Sequence, residues 1–489
     1  MKTIQKHLFI TFLFLGSVCF LKAQTTGDFT TLQSLITGTP ANAALTLTMD
    51  YVAAASESRL TISKNITIDL NGHIVNRNLA EGKSNGSVFY VNENVTLTIK
   101  DSNPTATHNP AVTYTDPIAQ EEVAINGGII MGGYTTGNGG GIEVASRGRL
   151  TMNGGTIANN NLTGTYGGGI YCNANCTLKI NECRIINNRF IKGANDNSGS
   201  GGGIYITGAS DVSITNSEIS YNWAIDGGAI NFSRASGKLE LIGNQIVGNT
   251  GRGTSGGINV DVSGGNLAFT LKNCNIQGNE SANYAGGIRI LNGNNGMTSE
   301  ISGNKIHDNK SLNGGGIYMS ATTLELQSNS IFNNVASYGG GGISVGGGNS
   351  ILTLKEGLVI ANNTSNYLGG GVLCARTQNA TVVLDGAIIA NNTAVSGGGV
   401  YINNEGTFTM KSGSITDNTA SQFGGGVYNY HNFVLEGGTI SNNKTTTTST
   451  ASSYGGGGVY NNKNFTCSGG TISHNTSATH GGGVHNHSL

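Results

Sequence analysis

The chain has 489 residues, of which 78 are glycine, 4 are proline and only 11% are charged, with a formal net charge of −1. Glycine is at about twice its usual share and charge is less than half the usual ~25%, which excludes a charged disordered tail. The glycines cluster instead of falling every third residue, which excludes collagen, and no basic block marks a nucleic-acid partner.

Residues 1–23 read as a secretory signal peptide. Lys2 and Lys6 precede the apolar run Leu8–Leu21, and Ala23 offers a small residue for cleavage before Gln24. The run is too short to span a bilayer, and no later stretch approaches twenty apolar residues, so no transmembrane helix is expected. Cys19 follows Val18, which leaves a lipoprotein reading open. Residues 24–60 form an N-terminal cap region, in which GDFTTLQSLI reads as a short amphipathic helix over the apolar end of the fold. Residues 61–137 carry ITIDLNGHIVN and VTLTIKDSN, which look like irregular opening rungs of a coil.

From 138 to 489 the chain repeats. A glycine run followed by an apolar anchor returns thirteen times, at Ile142, Ile170, Ile204, Ile230, Ile258, Ile288, Ile317, Ile343, Val372, Val400, Val427, Val459 and Val484. Between anchors stands Ile-x-x-Asn, twelve times without substitution, from Ile157/Asn160 to Ile472/Asn475. Five residues before each of these isoleucines lies another apolar residue, with one extra residue only after Leu354. Segments such as GGGIYI and LTMNGG alternate apolar and polar as half-buried strands do, and none is long enough for a helix. One unit cannot bury its apolar stripe alone, whereas rungs stacked on rungs bury every inward isoleucine. The predicted fold is all-β, a right-handed parallel β-helix of about 13 repeat rungs plus irregular N-terminal rungs and a short helical cap.

Glycine supplies positive φ where the chain turns tightly. Asparagine tolerates the left-handed region and hydrogen-bonds turn peptides. Stacked at one place in every rung, the asparagines are expected to form an amide ladder. Insertions after Asn188 (RFIKGANDNSGS) and Asn443 (KTTTTSTASSY) occupy the same turn and should emerge on one edge. The thirteenth rung lacks its closing strands, which predicts an end that is docked, weakly ordered or continued elsewhere. Cys172, Cys176, Cys183, Cys274, Cys374 and Cys467 read as buried thiols, with a local bridge among the first three left open. No Cys/His spacing resembles a zinc site.

The pairing of Gly-Gly-apolar-apolar (GGAI at Gly227–Ile230) with apolar-x-x-Asn (IFNN at Ile331–Asn334) resembles the polymorphic outer-membrane protein repeat of autotransporter adhesins. The likeness covers the chain from about Asn138 onward. It implies a surface-exposed β-helical passenger that contacts host cells. Here isoleucine stands where that family uses phenylalanine, and no C-terminal membrane barrel follows. More broadly, the chain resembles secreted right-handed β-helix proteins, including those with the pectin lyase fold.

Two columns carry candidate chemistry. One residue past the apolar position of the second strand, successive rungs carry Lys355, Asp385, Lys411 and Glu436. Asp385 and Glu436 two rungs apart would be roughly 9–10 Å from each other, near the range for inverting glycoside hydrolysis. Alternating charges also simply neutralise each other across a sheet. The residue after the anchor, which alternation points outward, is Tyr171, Tyr205, Tyr318, Tyr401, Tyr428 and Tyr460. The last three are consecutive and form an aromatic column suited to sugar or protein contacts, or to stabilising the sheet face. The late histidines His474, His480, His485 and His487 lack a nearby carboxylate, so no metal and no cofactor are expected. The functional expectation is an exported, extracellular or outer-membrane-surface rod, adhesive and not catalytic. Its expected partners are surface glycans or host or neighbouring-cell proteins. The alternative is a secreted polysaccharide lyase or glycoside hydrolase of the same fold.

Overall fold

A computed structural model describes residues 26–116, 119–191, 199–374, 379–448 and 454–487. The expected signal peptide and parts of both long insertions (192–198 and 449–453) lie outside the described residues.

Short apolar-polar strands connected by glycine turns stack as a parallel β-solenoid of about 14 turns, with about 4% helix. Among the described residues, three sheets of 22, 19 and 13 strands wall the coil, the third beginning at Tyr134. The anchors pair in unbroken register, Ile142 on Ile170, Ile170 on Ile204, and so on to Val459 on Val484. The second-face isoleucines do the same, from Ile157 on Ile185 to Ile440 on Ile472. Strand alternation sends these side chains inward, and almost all of them are fully buried in one continuous core running from Phe29 to Val459. Each such side chain contributes about 1.5–3 kcal/mol on burial.

The asparagines form the expected ladder. From Asn160 to Asn443, each side-chain Nδ2 donates to Oδ1 of the asparagine one rung on, at 2.9–3.0 Å. The same Oδ1 also accepts the backbone N–H of the previous asparagine, as Asn334 Oδ1 does from Asn309 at 3.1 Å. A second Nδ2 hydrogen reaches back to the isoleucine carbonyl of the preceding rung, as from Asn309 to Ile276 at 2.9 Å. Every polar atom of a fully buried amide is thereby used. The left-handed conformation falls elsewhere than expected, on the residue just before the ladder: Asp308 at φ 56°, Asn333 at 55° and Asn362 at 56°. The turn needs positive φ there so that the ladder residue itself can face inward.

Within the glycine triplets the roles divide. Gly340 has φ 68°, whereas a Cβ on Gly341 would stand 2.5 Å from the carbonyl oxygen of Gly370 in the next rung. The first glycine serves backbone conformation and the second serves close stacking.

At the N-terminal end, α1 (Phe29–Gly38) begins at Asp28, whose carboxylate accepts the Thr31 N–H at 2.7 Å. Phe29, Leu32 and Ile36 line its buried face, so the helix caps the apolar end as predicted. The opening rungs prove regular in register: Leu60 stacks on Phe89 and Phe89 on Ile142. Their irregular look in sequence comes from an inserted antiparallel hairpin, Val112–Asp116 with Glu121–Ile125. Cys172 and Cys176 form a disulfide across one turn. Cys183, Cys274 and Cys374 are buried free thiols, and Cys467 is exposed.

Candidate functional site

The residue after each anchor does point away from the coil interior. In the last rungs Leu373, Tyr401, Tyr428, Tyr460 and His485 form one column. Tyr401 and Tyr428 stack with centroids 4.7 Å apart and planes 5° from parallel, and Tyr428 and Tyr460 at 5.1 Å and 3°. The column is nevertheless covered: Tyr401 is 9% and Tyr460 3% exposed. Leu368 and Leu373 pack on Tyr401, and Phe423 sets its edge against Tyr428 and Tyr460. Stacked this way, the rings spend their faces on one another and present edges and hydroxyls. Burial, then neighbouring phenols, raises the pKa of Tyr401 and Tyr428, and burial pushes Tyr460 up to about 12. All three are neutral hydroxyls at physiological pH.

Exposed rings flank this covered stack. Tyr367 is 52%, Tyr338 39% and Tyr430 37% exposed. Tyr338 and Tyr367 lie 5.8 Å apart, tilted by 32°, and Tyr430 stacks on Tyr428 at 6.3 Å. Tyr338 lies in the strand Val335–Gly339 and Tyr367 at the equivalent place one rung on, both just before the glycine run, and Tyr430 follows the anchor strand Val427–Asn429. Tyr338 and Tyr367 share one repeat position, five residues before the anchors Ile343 and Val372, so a tyrosine recurring there in consecutive rungs was the signal in the sequence, whereas Tyr430 has no such counterpart. Together they make a charge-poor aromatic edge on the C-terminal third of the coil.

The same outer column in earlier rungs runs Tyr90, Glu143, Tyr171, Tyr205, Asn231, Asn259, Arg289, Tyr318. Tyr166 stacks on Tyr205 at 4.1 Å. Burial raises the Glu143 carboxyl, partly offset by Arg59, whose guanidinium lies 3.9 Å over the Tyr90 ring. Burial likewise raises Asp226, opposed by Thr254 and Arg289. Arg289 donates to Asn259 Oδ1 at 3.1 Å.

The charged column departs from its expected alignment. Lys355 sits at an irregularity in register, opposite both Asp385 and Gly386, and its ammonium donates to Asp385 Oδ2 at 2.8 Å. The register then slips by a residue, so Asp385 faces Ser412, which donates to Oδ1 at 3.2 Å, and Lys411 is left out of the column. Glu436 follows Leu435, the residue paired with Met410, and its N–H donates to the Met410 carbonyl at 2.8 Å. A local bulge at Asp385 accommodates the slip. Hydrogen bonds from Lys355 and Ser412 hold Asp385 below the usual carboxylate range, so it stands ionised. Charge gathers more densely elsewhere: Lys179, Asp211 and Lys238 share a shallow polar groove of about 240 Å³.

His485 stacks on Tyr460 at 5.1 Å and meets His480 edge-on at 5.7 Å. Among the described residues, no group of three His, Cys, Asp or Glu is placed to hold a metal ion, and no helix is long and apolar enough to cross a membrane. Compared with family models, curated proteins and solved structures, the chain gives no match. Its likeness to the adhesin repeat therefore rests on the repeat residues alone.

Proposed function

We propose that this protein is an exported, non-catalytic binding rod, with adhesive contacts to surface glycans or to proteins of a neighbouring cell made along its outer aromatic edge. The observation that carries this reading is the exposed trio Tyr338, Tyr367 and Tyr430 beside the covered Tyr401–Tyr428–Tyr460 stack. A rigid sheet face holding amphipathic rings in fixed positions binds at low entropic cost. The Cys172–Cys176 disulfide supports export, since such bonds persist in oxidising compartments. The repeat resemblance supports a cell-surface setting. Binding of purified protein to arrayed neutral and acidic glycans and to whole cells tests the reading. Saturable binding that weakens about tenfold in Tyr338→Ala/Tyr367→Ala, with unchanged melting, is expected. Binding untouched by those changes would remove the aromatic edge from the account.

One observation favours a second reading, a polysaccharide lyase or glycoside hydrolase. Asp211 stands in the groove with Lys179 and Lys238, an acid flanked by cations on an outer sheet face. Turnover of a glycan that Asp211→Asn abolishes would establish it.

A further inference from the structure

A cleft of about 630 Å³ lies far from the aromatic edge, between the inserted hairpin and the opening rungs. That volume is within the range of small-molecule sites, roughly 300–1,000 Å³. The hairpin is firmly docked. Tyr114 packs with Ile125, Ile129, Ala158 and Ile186, and the Tyr221 hydroxyl donates to Asp116 Oδ2 at 2.9 Å. Asn159 Nδ2 donates to the Thr113 carbonyl at 3.2 Å, and His108 Nε2 lies 2.8 Å from the Gly127 carbonyl oxygen. The cleft is therefore a preformed gap with fixed walls, which keeps the cost of ordering low when a ligand enters.

Its lining alternates in character. Val52, Ile74 and Met131 give one apolar wall, and Pro110 and Ala111 of the hairpin connection give the other. Between them stand the amides of Asn76 and Asn109, each both donor and acceptor, and the Asp50 carboxylate. Asp50 is held in one orientation, with Oδ1 accepting the Ile74 N–H at 3.0 Å and lying 3.2 Å from His73 Nδ1. Among the described residues no lysine or arginine lines the cleft, so they offer an anionic ligand no counter-charge. A molecule with an apolar face and a rim of uncharged hydroxyls matches walls of this kind.

We propose that this hairpin-walled cleft is a binding site for a neutral sugar residue. Carbon-bound hydrogens of the ring rest on Ile74 and Met131, and its hydroxyls exchange hydrogen bonds with Asn76, Asn109 and Asp50. The site is independent of the aromatic edge and stands or falls separately from it. The test is calorimetry and saturation-transfer NMR on the full chain. The probes are neutral disaccharides of glucose, galactose, mannose and N-acetylglucosamine, with a galacturonate disaccharide as counter-probe. Expected is saturable binding of at least one neutral probe, weakened about tenfold or more by Ala111→Trp, which fills the cleft from an exposed position. Asn109→Ala, also at an exposed position, should weaken it several-fold, and Tyr367→Ala should leave it unchanged. Failure of every neutral probe, stronger binding of galacturonate, survival of binding in both cleft variants, or its loss in Tyr367→Ala would each overturn the proposal.

Discussion

Asn309 donates twice to one oxygen of Asn334, through Nδ2 at 2.9 Å and through its backbone N–H at 3.1 Å. The link ties a buried side chain and a buried peptide of one rung to the next with a single acceptor. Replacing Asn309 by Ala strips Asn279 of the acceptor for both its N–H and its Nδ2, since these reach Asn309 Oδ1 at 2.9 and 3.0 Å. Two buried donors without partners cost about 2–5 kcal/mol in total. Urea unfolding followed by circular dichroism should show a loss of that order. Amide exchange should accelerate first around Asn279–Asn309, because neighbouring rungs stabilise one another locally.

Glycines of the triplets should separate sharply from glycines in open positions. Gly341→Ala drives a methyl against the Gly370 carbonyl and should lower the melting temperature markedly, by the equivalent of about 1–3 kcal/mol or more. Gly38, at the end of α1, has nothing within 4 Å of a Cβ. Gly38→Ala should stay within about 0.5 kcal/mol of the parent. Differential scanning calorimetry of the two variants checks the contrast.

The half-buried carboxyls Glu143 and Asp226 give stability a defined pH slope. Burial raises both above their unfolded values, so the fold binds their protons more tightly than the unfolded chain does. Their contribution is most favourable below the unfolded carboxylate range and falls as pH rises through it to the higher folded values. Urea midpoints measured across acid to neutral pH should decline less steeply in Glu143→Gln/Asp226→Asn than in the parent. An unchanged slope would remove these two groups as its source.

Thiol chemistry should follow burial. Cys467 is exposed and should react with iodoacetamide in the native protein. Cys183 and Cys374, buried and pushed up to about 12, and buried Cys274 should react only after unfolding. Reducing Cys172–Cys176 should lower stability by about 2 kcal/mol, as expected for a loop this short. Mass mapping of labelled peptides reads the first result and urea titration with reductant the second.

The coil, its register and the asparagine ladder were legible because every rung repeats Ile157/Asn160-type spacing and stacking turns period into position. The hairpin at Val112–Ile125 was not, since an insertion breaks the period and left residues 61–137 looking merely irregular. Tyr401 and Tyr460 were rightly pointed outward by alternation. Their cover comes from Leu368 and Phe423, which share one in-register position four residues before the anchors Val372 and Val427, but the residue type there varies from rung to rung (Ser396 stands between them), so no apolar signature marks it. Lys411 was misplaced because a one-residue slip in register cannot be seen in spacing measured along one chain. The left-handed position was assigned to asparagine through its general tolerance, whereas inward-facing Asn334 requires it one residue earlier, at Asn333.

The central claim, binding without turnover, is tested most directly by holding the purified protein with a glycan it retains and sizing that glycan over time. The account predicts that the chain length stays unchanged, and that retention falls about tenfold in Tyr338→Ala/Tyr367→Ala. Progressive shortening of the glycan, abolished by Asp211→Asn or Asp385→Asn, would contradict it.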